Sequence, residues 1–174
     1  SNIRFDQKTG FMFPYVSFHE EPVFMDRIAP YIYHLDASID PRDIKIAEEK
    51  ARKVYHEFHK AMLKEGQSAM DFAEKNNLKM LMLSGRPYHA DPEINHGLDR
   101  LANSLDFVVL SEDSVPLVEG EKIHNVLNQW TYHARMYNAA RFTGAHEHME
   151  LVQMVSFGCG LDAVTSDELK EILH

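Results

Sequence analysis

The stretch LKMLMLSGRPYH, residues 78–89, decides the fold. Its first six residues are almost continuously apolar, and a short run of this kind is typical of a buried strand in a parallel sheet. The run ends in Ser84-Gly85-Arg86, where a strand would pass into a loop. The stretch therefore predicts a buried strand that leads into a loop.

Two further apolar runs repeat this arrangement. FVVL at 107–110 precedes SEDS, and LVQMV at 151–155 precedes SFGCG. Helical patterns lie between the runs and after the last one. The first opens at Pro92, the second spans about 121–142, and Thr165 caps the third. This alternation predicts a three-layer, Rossmann-like α/β domain with a short parallel sheet.

The predicted buried positions of these helices follow from the apolar spacing. In the first helix they are Ile94, Leu98, Leu101 and Leu105. In the second they are Ile123, Leu127, Trp130, Ala134 and Tyr137, which places His133 and Arg135 on other faces.

The first half of the chain is expected to be helical and irregular. Prolines interrupt residues 1–40, so we predict an irregular arm there with a short helix inside 23–35. Residues 11–18 form either an edge strand, the fourth of the sheet, or an arm laid on the core. Residues 41–77 are predicted to be one amphipathic helical region. We expect a single domain over 1–174, and the Ser-Asn start predicts a fragment of a longer protein.

Composition excludes several classes of function. The net charge of −9 argues against general nucleic-acid binding and against docking on anionic lipid. No apolar run reaches the roughly 18 residues that a membrane span requires. The single cysteine excludes an internal disulfide and favours a reducing, cytoplasmic compartment. We therefore expect neither a nucleic-acid nor a membrane partner.

The loops after the three strands are predicted to meet at one edge of the sheet, where parallel sheets bind ligands. In the first loop, Arg86 supplies a permanent cation for phosphate or carboxylate, and His89 can carry a proton. Gly85 permits a close backbone approach. Asp113, in the second loop, is expected to orient Arg86 and His89; the alternative is a tight turn in which Arg86 pairs with Asp91 or Asp113.

Other polar residues near this edge have two interpretations each. Asn95 and His96 either point over the site from the first helical turn or lie on the surface. Glu112 and Asp113 either orient the site or form a solvated acidic loop.

Cys159 stands between Gly158 and Gly160 at the end of the third strand. The two glycines leave its sulfur approachable. Three interpretations stay open: a metal or cluster ligand, a nucleophile with His89 as its base, or an inert thiol.

Four segments resemble one known family: 84–97, 110–115, 130–138 and 155–165. They are similar to the large proteins related to activators of 2-hydroxyacyl-CoA dehydratases. Those proteins combine actin-like ATPase segments with a dehydratase-like region that holds an iron–sulfur cluster. The likeness is to the second region, strong over 78–174 and weaker before it.

The resemblance implies an ATP-driven, low-potential electron-transfer protein in which this chain forms one wall of a cluster or acyl-CoA site. It implies a 4Fe–4S cluster in the full-length protein and none in the isolated fragment, since four thiolates are needed and Cys159 is the only one here. Implied partners are the actin-like ATPase segment and acyl-CoA. The alternative is a non-catalytic scaffold that docks the ATPase part. The predicted catalytic residues are Arg86, His89 and Asp113; the predicted cofactor-binding residues are Cys159, Gly85, Gly158, Gly160, Asn95 and His96.

Overall fold

The computed structural model describes residues 11–16, 21–119, 130–156 and 158–174. The chain divides into two compact units, residues 1–56 and 57–174. The long helix α2, Pro41–Lys75, begins in the first unit and ends in the second. Among the helices within the described ranges, none combines the length and apolar character that crossing a bilayer requires.

The first unit is more helical than the predicted irregular arm. Helix α1 occupies Glu21–Leu35 and accommodates Pro30 within it. Residues 11–16 have no regular structure, so the edge-strand alternative is wrong for these residues, and 17 and 18 lie outside the described residues. Within this unit the Arg52 guanidinium lies over the Phe24 ring, 5.7 Å from its centroid.

The second unit is built on a three-stranded parallel sheet, as the sequence predicted. Its strands are β1 (Lys79–Ser84), β2 (Phe107–Ser111) and β3 (Met149–Gln153), and β1 lies in the centre in the order β2-β1-β3. The register pairs Met82 with Leu110 on one side and with Leu151 on the other. The predicted α/β three-layer fold is confirmed.

One face of the sheet carries the main core. Met80 and Met82 of β1 are buried on this face, whereas Leu81 and Leu83 on the other face are only half-buried. The predicted strand is therefore present and buried mainly through this one face. Helices α2 and α4 cover the buried face with a cluster that contains Met70, Ala73, Ala139 and Phe142.

The remaining helices begin at other residues than predicted. Helix α3 is only Leu98–Ser104, because residues 91–97 form turns that end in Gly97 at φ 77°. Its predicted buried residues Leu101 and Leu105 are exposed. Helix α4 spans Thr131–Gly144, and the predicted positions 123 and 127 lie outside the described residues.

Helix α5 spans Gly160–Leu173 and is preceded by Cys159. Thr165, the predicted cap, instead lies inside α5 and donates its hydroxyl hydrogen bond to the Leu161 carbonyl at 2.9 Å. Trp130, predicted to be in the buried stripe, precedes α4 and is 44% exposed. Both expectations are wrong, because Trp130 has extended backbone geometry immediately before α4 and Thr165 lies five residues inside α5.

Candidate functional site

The topology defines a crevice at the carboxyl edge of the sheet. From β1 the chain moves to β2 on one side and then returns to β3 on the other side of β1. Ligands of open α/β sheets bind where the connections diverge in this way. The loops after β1, β2 and β3 all leave the sheet at this edge, because the strands are parallel.

The buried carboxylate of Glu112 binds the end of β1 and the first residue of the loop after it. Glu112 Oε1 accepts hydrogen bonds from Ser84 Oγ at 2.6 Å and from the Gly85 N–H at 2.7 Å. A Cβ at Gly85 would collide with His89 Nδ1 and would lie 3.0 Å from the Met154 carbonyl oxygen. The backbone at Gly85 is therefore as closely approached as predicted, and the group that approaches it is the His89 ring.

Glu112 departs from the predicted solvated acidic loop. It is 7% exposed, and its Oε2 lies 3.4 Å from the guanidinium of Arg135 on α4. Burial raises the pKa of Glu112 from 4.5 to about 7, although the hydrogen bonds from Ser84 and Gly85 and the charge of Arg135 act in the opposite direction. A carboxyl group that titrates near neutral pH thus supports the loop after β1.

Asp113 does not orient Arg86 or His89 as predicted. Its Oδ2 accepts a hydrogen bond from Arg135 Nη2 at 2.6 Å. The partner of Arg86 is Asp162, whose Oδ1 and Oδ2 lie 2.9 and 3.1 Å from Arg86 Nη2. Neither Asp91 nor Asp113 makes the predicted pair, because α5 brings its own carboxylate to the loop after β1.

Sequence reasoning missed Asp162. It is buried, at 8% exposure, in the first turn of α5. The helix dipole favours an acidic residue in the first turn of a helix. The position of Asp162, three residues after Cys159, was therefore the feature of the sequence that could have indicated it. The Arg86 guanidinium also lies 5.6 Å from the centroid of the Tyr132 ring, within cation–π range. Arg86 therefore joins the loop after β1 to the beginnings of α4 and α5.

His89 connects the loops after β1 and β3. Its Nδ1 accepts a hydrogen bond from the Arg86 N–H at 3.0 Å, which assigns the ring proton to Nε2. Nε2 then donates to Ser156 Oγ at 2.7 Å. Burial, and then the charge of Arg86, lowers the pKa of His89, so its neutral form is favoured. Both ring nitrogens are engaged, which argues against His89 as the base for Cys159.

Cys159 is an exposed free thiol on an open turn. Among the described residues, none has an atom within 4 Å of a Cβ built at Gly158 or at Gly160. Within the described residues no group of three or more His, Cys, Asp or Glu side chains is arranged to hold a metal ion. The turn is accessible, and this part of the chain offers a cluster one thiolate.

Asn95 and His96 differ in their surroundings. Asn95 is buried, and its Oδ1 accepts a hydrogen bond from the Gly97 N–H at 2.8 Å. His96 is exposed, with φ 55°. Both precede α3 rather than lie in its first turn, so that prediction is wrong.

His133 is buried rather than on an outer face of α4 as predicted. It stacks on Trp130 with ring centroids 5.2 Å apart. Burial lowers the pKa of His133, and its Nε2 has no hydrogen-bond partner in the described part of the chain.

A cavity of about 500 Å³ lies between the loops after β1 and β2. It brings together most of the predicted site residues of these two loops, Glu112 among them. Its polar lining includes Arg86, His89, Asn95, Glu112, Asp113 and Arg135. Cys159, His96, Gly158 and Gly160 do not line it. The structure therefore brings Arg86 and Asp113 together in one cavity. Cys159 lies outside the cavity lining, immediately before the helix whose Asp162 binds Arg86.

Comparison with known proteins gives one match. Residues 1–115 match the family described as CoA enzyme activase uncharacterised domain. No curated protein and no solved structure matches the chain. The matched residues include α1, α2, β1 and β2, and with them the cavity loops that carry Arg86 and Asp113. On this match, which confirms the resemblance at the level of the family, the chain belongs to the CoA enzyme activase family.

Proposed function

We propose that this domain forms one wall of a cluster or acyl-CoA site in an ATP-driven, low-potential electron-transfer protein. Cys159 would be one thiolate ligand of a 4Fe–4S cluster, and the other thiolates would come from outside this chain. The observation that carries the proposal is the exposure of this single cysteine on an open turn at the carboxyl edge of the sheet. The free thiol also favours a cytoplasmic, reducing setting.

The cysteine of this chain can supply one of the ligands of an iron–sulfur cluster, but not all of them. A 4Fe–4S cluster takes four thiolates, and the chain contains one cysteine. When bound, such a cluster would accept and pass on single electrons. We therefore expect no cluster in the isolated chain.

The residues around Cys159 would hold its turn in place. Arg86 binds Asp162 in the first turn of α5, and Cys159 immediately precedes this helix. His89 donates to Ser156, three residues before Cys159. Two contacts of the loop after β1 therefore position the turn that carries the thiol, which makes Arg86 and His89 positioning residues.

The test is anaerobic reconstitution, with iron and sulfide, of a longer protein that contains this chain. We expect Cys159→Ser to lose the cluster absorbance and most of the bound iron, because one of the four ligands is removed. Asp167→Asn is the matched control, since Asp167 is an exposed residue of α5. Normal iron content and an unchanged spectrum in Cys159→Ser would remove Cys159 from the ligand set.

A scaffold that docks the actin-like ATPase segment is the second candidate. The exposed apolar side chains Ile94, Leu101 and Leu105, on and beside α3, favour it. In that case Leu101→Ser should weaken binding of the ATPase segment, while Cys159→Ser should leave that binding unchanged. Binding that is insensitive to Leu101→Ser would contradict docking through α3.

A further inference from the structure

We infer that the exposed face of the Trp130 indole binds the adenine ring of an acyl-CoA by stacking. This inference deepens the acyl-CoA part of the proposed function and rests on it. It does not use Cys159 as a ligand, so it can fail independently of the cluster. Adenine is the aromatic ring system of CoA, and a flat aromatic side chain is a group that recognises it.

Trp130 is part of a cluster of three aromatic rings at the beginning of α4, with Tyr132 and His133. The indole lies at an angle of 28° to the Tyr132 ring and of 29° to the His133 ring, with centroids 6.0 and 5.2 Å away. The Tyr132 and His133 centroids are only 4.2 Å apart. Rings on opposite faces of the indole would be much further from each other, so both lie on the same side of Trp130. Among the described residues, no ring lies against its other face.

The position of the indole is fixed by the beginning of α4. Trp130 has extended backbone, with φ −123°, and its carbonyl accepts a hydrogen bond from the Ala134 N–H at 3.0 Å. Its ring packs on residues two and three positions later, yet Trp130 is 44% exposed. A ring that is backed on one side and open on the other is a preorganised surface. A ligand that stacks on it removes apolar area from water.

The aromatic cluster lies at the carboxyl edge of the sheet. The Arg86 guanidinium, 5.6 Å from the centroid of the Tyr132 ring, connects the cluster to the loop after β1. The same guanidinium binds Asp162 in the first turn of α5, which Cys159 immediately precedes. Trp130 therefore belongs to the edge at which open α/β sheets bind their ligands, beside the turn that carries the thiol.

ATP contains the same adenine ring, so stacking by itself fits both molecules. The sequence contains no G-x-x-x-x-G-K-[ST] loop, the motif that surrounds the phosphates of a nucleotide in many ATPases. We therefore assign the ring that stacks on Trp130 to CoA, and the experiment compares the two sources.

Fluorescence titration of the full chain is a direct test, because Trp130 is the single tryptophan. The indole is excited at a wavelength at which adenine does not absorb. Adenosine should quench the emission of Trp130 with saturation, whereas ribose, which lacks the ring, should leave it unchanged. CoA should reach half-maximal quenching at a lower concentration than either adenosine or ATP, because its other parts also contact this edge.

Variants of the aromatic cluster measure the contribution of stacking. Trp130→Ala should weaken adenosine binding in equilibrium dialysis by about tenfold or more, as expected when an aromatic side chain that stacks on a base is removed. Trp130→Phe keeps an aromatic ring and should lose less affinity. If Trp130→Ala fails to fold, Tyr132→Ala keeps the fluorescent reporter and should raise the adenosine concentration for half-maximal quenching severalfold, because the indole loses its backing. Phe72→Ala is the matched control, because Phe72 is an exposed aromatic residue of α2 in the same unit.

Absence of quenching by adenosine, equal quenching by ribose, unchanged adenosine affinity in Trp130→Ala or an equal loss in Phe72→Ala would overturn the inference. Tighter binding of ATP than of CoA would overturn the assignment of the ring to acyl-CoA. CoA binding that is unaffected by Trp130→Ala would leave the acyl-CoA site in place and overturn the stacking on Trp130. Cys159→Ser should bind adenosine like the original chain, so failure of the cluster proposal is distinguishable.

Discussion

Replacement of Glu112 by Gln should change how the stability of the second unit depends on pH. The pKa of Glu112 is about 7 in the folded chain and 4.5 when unfolded, mainly because burial disfavours the charged carboxylate. Between these values the folded state holds more protons than the unfolded state. The free energy of unfolding therefore falls as pH rises through this window. The difference of about 2.5 in pKa corresponds to about 3 kcal/mol.

Glu112→Gln removes this titration and keeps an acceptor for the Ser84 hydroxyl and the Gly85 N–H. The new amide nitrogen faces Arg135, which adds a destabilisation that does not depend on pH. We therefore expect the stability of the original chain, measured relative to Glu112→Gln, to decrease by about 3 kcal/mol from pH 4.5 to pH 8. This decrease in relative stability should be nearly complete about one pH unit above the pKa of Glu112 in the folded chain.

Urea unfolding followed by tryptophan fluorescence is a suitable measurement, because the single tryptophan, Trp130, lies in the second unit. The exposed Glu93→Gln is the matched control and should keep the pH dependence of the original chain. A stability difference between the original chain and Glu112→Gln that stays constant over this range would refute the assignment of a near-neutral carboxyl group to this position.

Three further predictions concern the loops and the long helix. Gly85→Ala should lower the free energy of unfolding by about 1–3 kcal/mol in urea titration, because the methyl group meets His89 and Met154. Gly158→Ala, whose new Cβ has no atom of the described residues within 4 Å, should leave stability nearly unchanged; an equal loss in both would contradict the packing argument. Gly66→Ala should lower the free energy of unfolding by about 2 kcal/mol although Ala has the better helix propensity, because its Cβ would collide with a carbonyl oxygen of the loop after β2. A gain in melting temperature would show that this loop moves away without cost. Iodoacetamide should modify the exposed Cys159 at the same rate in the original chain and in His89→Ala at pH 6, because both ring nitrogens of His89 are engaged; a slower reaction in that variant would restore His89 as the base.

The order of elements could be predicted from the sequence because it depends on local patterns. The apolar runs at 78–83 and 107–110 are strands in the structure, and the third strand is shifted only slightly toward the N-terminus. Parallel strands send their following loops to one edge, so the common location of Arg86 and Asp113 was also predictable. The membership of the family likewise follows from the residues themselves.

Helix boundaries and pairing partners depended on the tertiary structure. The apolar spacing after Pro92 is helical, but the turns at Asn95 and Gly97 mean that α3 begins only at Leu98. Leu101, predicted to be buried, is exposed. Asp162 pairs with Arg86 across 76 residues of sequence, a contact that only the packing of α5 against the sheet edge creates.

The chemistry of the buried groups was decided in the same way. Glu112 and Asp113 are neighbours in sequence, yet Glu112 is buried and accepts a hydrogen bond from the Gly85 N–H, whereas Asp113 is half-buried and accepts one from Arg135. A residue type and its position in a loop specify which groups can titrate or bind. The pKa and the partner of each group depend on burial and on charges that distant segments bring near, and these exist only in the folded chain.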